Sequence, residues 1–180
     1  IREHAAEWHV DPDAIAVIGF SAGGHLAANL ATSTSDDVLV AHGYDPDAVR
    51  PNGLMLAYPV ITSGPLAHRG SFDSLLGERR NDSQALESVS IERHIDAKTP
   101  PVFAWHTVPD ETVPYENTLM LIDACKKAGV SIEAHLFPQG GHGLSLGTAE
   151  TAWQGVNGIE PSIQIWPQLA VSWMRRTFAR

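Results

Sequence analysis

The stretch Ile15-Ala16-Val17-Ile18-Gly19-Phe20-Ser21-Ala22-Gly23-Gly24-His25-Leu26-Ala27-Ala28-Asn29-Leu30 decides the fold. An apolar run enters Gly19-Phe20-Ser21-Ala22-Gly23, and a helix-forming run leaves it. Strand, sharp turn and helix in that order place a serine at the apex of a nucleophile elbow. Such a turn forces strained backbone angles on the serine. The flanking positions must be small because strand and helix approach closely, and Gly19 and Gly23 have no Cβ to clash. The same pattern also fits a glycine-rich βα turn whose serine only caps the helix.

Outward from the elbow, the chain reads as alternating elements. Ala14 to Gly19 is apolar without period-2 alternation, which predicts a buried strand. Residues 1–8 read as the end of a helix, Asp11-Pro12-Asp13 as a turn, and Gly24 to about Ser33 as helix. Three further apolar runs predict strands. Gly53 to Tyr58 is stopped by Pro59, Val102 to His106 is entered through Pro100-Pro101, and Ile132 to Phe137 is closed by Pro138. Pro114 opens a helix with Leu119, Ile122 and Cys125 on one side, ended by Lys126-Lys127 and Gly129. Trp166, Leu169, Ala170 and Trp173 share one helical face, so the last helix packs on the core. Strands separated by helices imply an α/β fold, a parallel sheet of about four strands under right-handed crossovers. Segments 62–98 and 144–162 do not fit this weave and read as irregular or partly helical. Residues 1–180 are expected to form a single domain.

Composition narrows the function. The chain has 180 residues, 43% hydrophobic and 18% charged, which suits one globular domain with a real core. Lys and Arg number 12 against 21 Asp and Glu, a net charge of -9, so nucleic acid and anionic membrane are poor partners. A single cysteine, Cys125, excludes an internal disulfide, and no apolar stretch is long enough to span a bilayer. Cytoplasm is the default expectation. Because the chain begins Ile1-Arg2-Glu3-His4 without Met, a signal segment of a longer parent stays open. No pair of the nine histidines, with or without Cys125, has the close spacing of a zinc site, and neither metal nor cofactor is expected.

In a parallel sheet, reactive groups collect beyond the carboxyl ends of the strands. After the third strand comes Thr107-Val108-Pro109-Asp110-Glu111-Thr112-Val113-Pro114, and after the fourth Gln139-Gly140-Gly141-His142-Gly143. Ser21, Asp110 and His142 thus follow the order Ser, Asp, His, each in the loop past a strand. An alcohol is a poor nucleophile until an imidazole takes its proton, and a carboxylate holds the imidazole in the right tautomer. Asp110 also reads as an N-cap for the helix near Pro114, with Glu111 the competing carboxylate. His142 lies among glycines rather than on an apolar helix face. His25 follows the elbow and is a candidate for the floor of the site, whereas His106 ends a strand.

Gly19-Phe20-Ser21-Ala22-Gly23-Gly24-His25, Tyr58-Pro59-Val60, Trp105-His106-Thr107 through Asp110-Glu111-Thr112-Val113-Pro114, and Phe137-Pro138 through Gly140-Gly141-His142-Gly143 together resemble the acetyl-xylan-esterase or feruloyl-esterase-like branch of the α/β-hydrolases. The resemblance spans nearly the whole chain. It implies Ser21 as nucleophile, His142 as general base, Asp110 as triad acid and the Ala22 backbone N–H as one oxyanion donor. It also implies a small ester of a carbohydrate as substrate; the bulky Tyr58 and Trp105 are expected near its pocket, and His25 on the floor of the site. Segment 62–98 lies where such folds carry a cap, and its Leu66, His68, Phe72, Leu75 and Leu76 either shape a pocket or pack as an exposed loop. The family has several strands before the elbow and a His-Gly-Gly type loop supplying a second oxyanion donor; this chain has neither. The expectation is therefore the second half of an α/β-hydrolase sheet, its edge at Ala14 to Gly19 covered by another copy or by a missing N-terminal segment. A serine peptidase of the same superfamily would share the triad, but usually has an aromatic residue where this chain has Ala22. A remnant without turnover is the non-enzymatic alternative.

Overall fold

The computed structural model describes residues 1–32, 36–153 and 157–179. Four strands, β1 (Ala16–Phe20), β2 (Gly53–Ala57), β3 (Val102–Thr107) and β4 (Ile132–Phe137), form one parallel sheet in sequence order. Helix α1 (Ala5–Trp8) precedes the sheet. Helices α2 (Ala22–Ala31), α3 (Asp36–Ala41) and α4 (Pro46–Val49) link β1 to β2. Helices α5 (Arg69–Leu76) and α6 (Ser83–Ser88) lie between β2 and β3, α7 (Glu116–Ala128) joins β3 to β4, and α8 (Trp166–Thr177) closes the chain. Ser33, expected in the first long helix, lies outside the described residues, as does part of segment 144–162. No helix among the described residues is long and apolar enough to cross a membrane.

The pleat divides the core between the two faces. Leu54, Leu56, Val102 and Ala104 point to one side and meet Ala27, Ala28 and Ala31 of α2 with Leu121 and Cys125 of α7. Met55, Ala57, Phe103 and Trp105 point to the other and meet Trp166, Ala170 and Trp173 of α8. Two-sided burial is why β2 and β3 are apolar without alternation. Leu169, expected on the same stripe of α8, packs at the margin of that second cluster.

Two expectations need correction. The run Ala14 to Gly19 is indeed a strand, over Ala16–Phe20, but only Gly19 in it is buried and Ile18 is 46% exposed. Among the described residues β1 pairs with β2 alone and forms the sheet edge, the position expected of it. Apolarity records what a strand can bury, whereas burial needs a neighbour on each side. In α7 the inward face is Asn117, Thr118, Leu121 and Cys125, while Leu119 is 41% exposed. Two polar residues displace the apolar stripe because each finds hydrogen-bond partners inside, which removes the penalty of burial.

Segment 62–98 is anchored rather than loose. Phe72 of α5 packs with Val60 and Val113 in a small third cluster, while Leu75 stays exposed. Asp82 caps α6 by accepting from the N–H groups of Gln84 and Ala85. Asn117 ties the segment's start to α7. Its Oδ1 accepts from the N–H groups of Ile61 and Thr62, and its Nδ2 donates to the carbonyls of Leu66 and Pro114.

Candidate active site

Ser21 sits between β1 and α2 with φ 54° and ψ -122°, a backbone conformation that an L-residue adopts only under constraint. The constraint is visible. The Ser21 N–H donates to the Ala57 carbonyl, and the Ser21 carbonyl accepts from the N–H groups of Val60, Gly24 and His25. A Cβ on Gly19 would run into the Gly23 carbonyl and approach Ala27 Cβ at 2.8 Å, so strand and helix close on each other there as expected. Gly23 is different, because nothing stands where its Cβ would point. The second tight position is Gly24, where a Cβ would come within 2.9 Å of Pro59 Cβ.

The ends of β3 and β4 bring the other two groups to the serine. His142 Nε2 lies 2.7 Å from Ser21 Oγ, and His142 Nδ1 lies 2.7 Å from Asp110 Oδ2. Oγ must donate to one ring nitrogen while the carboxylate accepts from the other, which fixes the tautomer with the proton on Nδ1. Asp110 serves two functions with its two oxygens. Its Oδ1 accepts from the N–H groups of Thr112 and Val113, each at 2.9 Å; it therefore closes a turn before α7 and is not that helix's N-cap, which is Tyr115. Glu111, the competing carboxylate, is exposed.

The loop carrying His142 is pinned from three sides. Thr107 Oγ1 donates to the Gly141 carbonyl, the Ser145 N–H donates to Tyr58 Oη, and Trp166 Nε1 donates to the Ser145 carbonyl. The Tyr58 ring meets the imidazole edge-on at 5.0 Å. Burial disfavours ionisation of the Asp110 carboxyl, but the neighbouring His106 ring and hydrogen bonds from His142 and the Val113 N–H outweigh it and hold that carboxyl well below the usual carboxylate range. Asp110 is therefore a carboxylate at neutral pH, able to stabilise a positive imidazole. The Ala22 N–H occupies the first position of α2 and has no acceptor within the helix.

The three residues expected beside a substrate are all buried. Trp105 is 1% exposed, stacked on Trp166 beneath Tyr58, so a substrate cannot reach it. Its size and its position in a strand gave the expectation; its strand register turns it into the core. Tyr58 is also buried, and its hydroxyl is taken by Ser145. His25 is 7% exposed, with Nε2 on the Val89 carbonyl at 2.7 Å and its ring edge-on to Phe72. It nevertheless helps line a largely apolar cleft of about 330 Å³ between α2 and α5, together with Ala22, Leu26, Asn29, Ser71, Phe72 and Leu75. That cleft begins one residue from the serine. Among the described residues no cluster of His, Cys, Asp or Glu could hold a metal ion.

Sequence reasoning missed His106. Taken only as the end of a strand, it is fully buried, with Nε2 3.2 Å from Asp110 Oδ2. A histidine four residues before the acid, inside an apolar strand, was the available signal.

Comparison with known proteins gives the same fold and family. The BD-FAE family model matches residues 1–124. Endo-1,4-beta-xylanase B of Butyrivibrio fibrisolvens is 34% identical over 157 residues, which is 86% of this chain and 25% of that protein. An acetylxylan esterase of Xylanibacter ruminicola is 30% identical over 152 residues, 82% of this chain and 29% of that protein. The crystal structure of an acetyl ester-xyloside bifunctional hydrolase from Caldicellulosiruptor lactoaceticus superposes with a TM-score of 0.78 at 36% identity, covering 97% of this chain and 61% of that one. The chain thus spans under a third of these two curated relatives and about three fifths of the solved structure. With its parallel α/β sheet and a match over most of its length, the chain belongs to the BD-FAE family of α/β-hydrolases.

Proposed function

We propose that this chain carries the catalytic residues of a serine-dependent carboxylic-ester hydrolase that removes acetyl or a similarly small acyl group from a carbohydrate. The observation that carries the reading is the continuous hydrogen-bonded chain from Ser21 Oγ through both His142 nitrogens to Asp110, set on a strained turn. Ser21 Oγ attacks the ester carbonyl as His142 Nε2 takes its proton. The oxyanion of the tetrahedral intermediate faces the Ala22 N–H. Collapse expels the sugar oxygen, which receives the proton from His142, and water deacylates the serine by the same route. Asp110 orients the ring and offsets its charge. Support for the substrate class comes from relatives described as an acetylxylan esterase and an acetyl ester-xyloside hydrolase.

The test is hydrolysis of p-nitrophenyl acetate by the chain and by the longer protein that contains it. Ser21→Ala and His142→Ala should each lower kcat by about 10⁴-fold or more, and Asp110→Asn by somewhat less. A fluorophosphonate probe should label Ser21. Turnover surviving in Ser21→Ala overturns the mechanism, and faster turnover of octanoate than of acetate esters overturns the small-acyl part alone.

A further inference from the structure

His106 is buried against the acid of this site, and the mechanism does not use it. It lies in β3 with no solvent exposure, and both ring nitrogens are engaged. Nε2 is 2.9 Å from the Val113 carbonyl and 3.2 Å from Asp110 Oδ2; Nδ1 is 2.8 Å from Thr118 Oγ1 on α7. A carbonyl only accepts, so Nε2 must carry a proton, and Nδ1 is then free to accept from the Thr118 hydroxyl. In the opposite tautomer the Nε2 lone pair would face both the Val113 carbonyl and the Asp110 carboxylate. Three acceptors would crowd one point, in a place closed to water.

We infer that His106 is a positioning residue for this site: an imidazole, oriented by Thr118 with its proton on Nε2, whose N–H bonds to the Val113 carbonyl and sets its positive end 3.2 Å from Asp110 Oδ2, the oxygen on which His142 turns. The inference rests on the ester-hydrolase reading only for its kinetic consequence. The geometry gives it a specific function. Oδ1 of Asp110 is already held by two backbone N–H groups, which stop the carboxylate from translating. Oδ2 accepts from His142 at 2.7 Å, and the His106 Nε2–H, bonded to the Val113 carbonyl, passes 3.2 Å from the same oxygen. The longer contact draws charge from the oxygen without displacing the shorter one, so His106 sets how strongly Asp110 favours a positive His142. Titratable groups facing this pair among the described residues are few. Asp110 and the Tyr58 ring face His142; His106, His142 and Tyr58 face Asp110.

Removing the donor leaves more negative charge on Oδ2, which stabilises protonated His142. In His106→Leu the acid limb of kcat/KM for p-nitrophenyl acetate should therefore move to higher pH, while His106→Gln, which returns an N–H near the Nε2 position, should restore the wild-type limb. Thr118→Val, nearly isosteric, frees Nδ1 and should move the limb the same way by less. A purely structural histidine would lower kcat in His106→Leu without moving the limb, and that result overturns the proposal. The tautomer is testable without turnover, and without any variant. Long-range ¹H–¹⁵N correlation on the protein should show His106 as neutral Nε2–H across the titration of His142, with a downfield Nδ1–H for His142. A His106 found as the Nδ1–H form, or one that titrates with His142, overturns the proposal even if the protein hydrolyses esters. A wild-type chain that hydrolyses none while keeping that His106 signature sinks the functional reading and leaves the positioning intact.

Discussion

Residue by residue, the elbow depends on two glycines whose demands differ. Gly19 has no room for a methyl group, since the new Cβ would meet a backbone carbonyl that can retreat only by opening the strand–helix junction. Gly19→Ala should cost about 1–3 kcal/mol or more in denaturant unfolding, and should disturb Ser21 as well. Gly23, with open space around it and no positive φ, should accept alanine with no loss of stability and a small gain in helix propensity. Equal destabilisation by both substitutions would contradict the asymmetry. The Gly-x-Ser-x-Gly pattern was legible because one run of sequence builds it. Which glycine is sterically required was not, because Pro59, the residue that makes Gly24 tight, comes from the end of another strand.

At the scale of elements, each strand delivers one part of the site and a second element holds it there. The strand after the elbow helix supplies the acceptor for Ser21 N–H, β3 leads into the Asp110 turn, and β4 leads into the His142 loop. Asn117 on α7 shows how far the holding depends on polar contacts. Its side chain makes four hydrogen bonds to the backbone of 61–66 and to Pro114, and none of these groups has water to fall back on where it is buried. Asn117→Leu should destabilise by about 3 kcal/mol, because the N–H groups of Ile61 and Thr62 and the Leu66 carbonyl lose their partner together, while the Pro114 carbonyl keeps the Asn117 backbone N–H. Denaturant midpoints would read the loss. A variant as stable as wild type would mean that the segment 61–66 repacks without the clamp. The helical period announced α7, but its inward face followed from these partners and not from the apolar count.

For the whole molecule, the sheet edge and the buried titrating groups set the solution behaviour. Paired with β2 on one side only, β1 leaves Ile18 exposed, and beside it a groove of about 580 Å³ is lined by Ile1, Ile15, Val17, Leu30 and Tyr44 among others. Unpaired strand edges of this kind recruit partners. The 180-residue chain is expected to self-associate in light scattering, and a monodisperse monomer at high concentration would reject this. Acid should also weaken it. Burial, opposed by the Val89 hydrogen bond and by Glu92, lowers the pKa of His25, so the unfolded chain takes up that proton first as pH falls below about 6.5. Asp110, held below the usual carboxylate range, adds stability that is full above about pH 4 and is lost as pH falls from there toward its folded value. Both signs agree. Denaturant midpoints should decline on acidification from neutral, first gradually and then more steeply below about pH 4; a midpoint that rises would contradict both assignments.

The sequence by itself determined the four strands, the elbow helix, α7 and α8, and their order, but not the short helices α3 to α6. A strand, a glycine turn and a helix are written in neighbouring residues, and so is the succession of serine, aspartate and histidine in loops past three strands. Local spacing carries that information because the backbone periods of helix and strand are short. Only the tertiary structure decided which groups meet. It placed Trp105 under Tyr58 instead of at a substrate, and turned Asn117 and Thr118 of α7 inward. It also gave Asp110 a second histidine. Each of these depends on contacts between residues far apart in the chain, and on whether a neighbour is present to satisfy a polar atom or cover an apolar one. No local pattern encodes either condition.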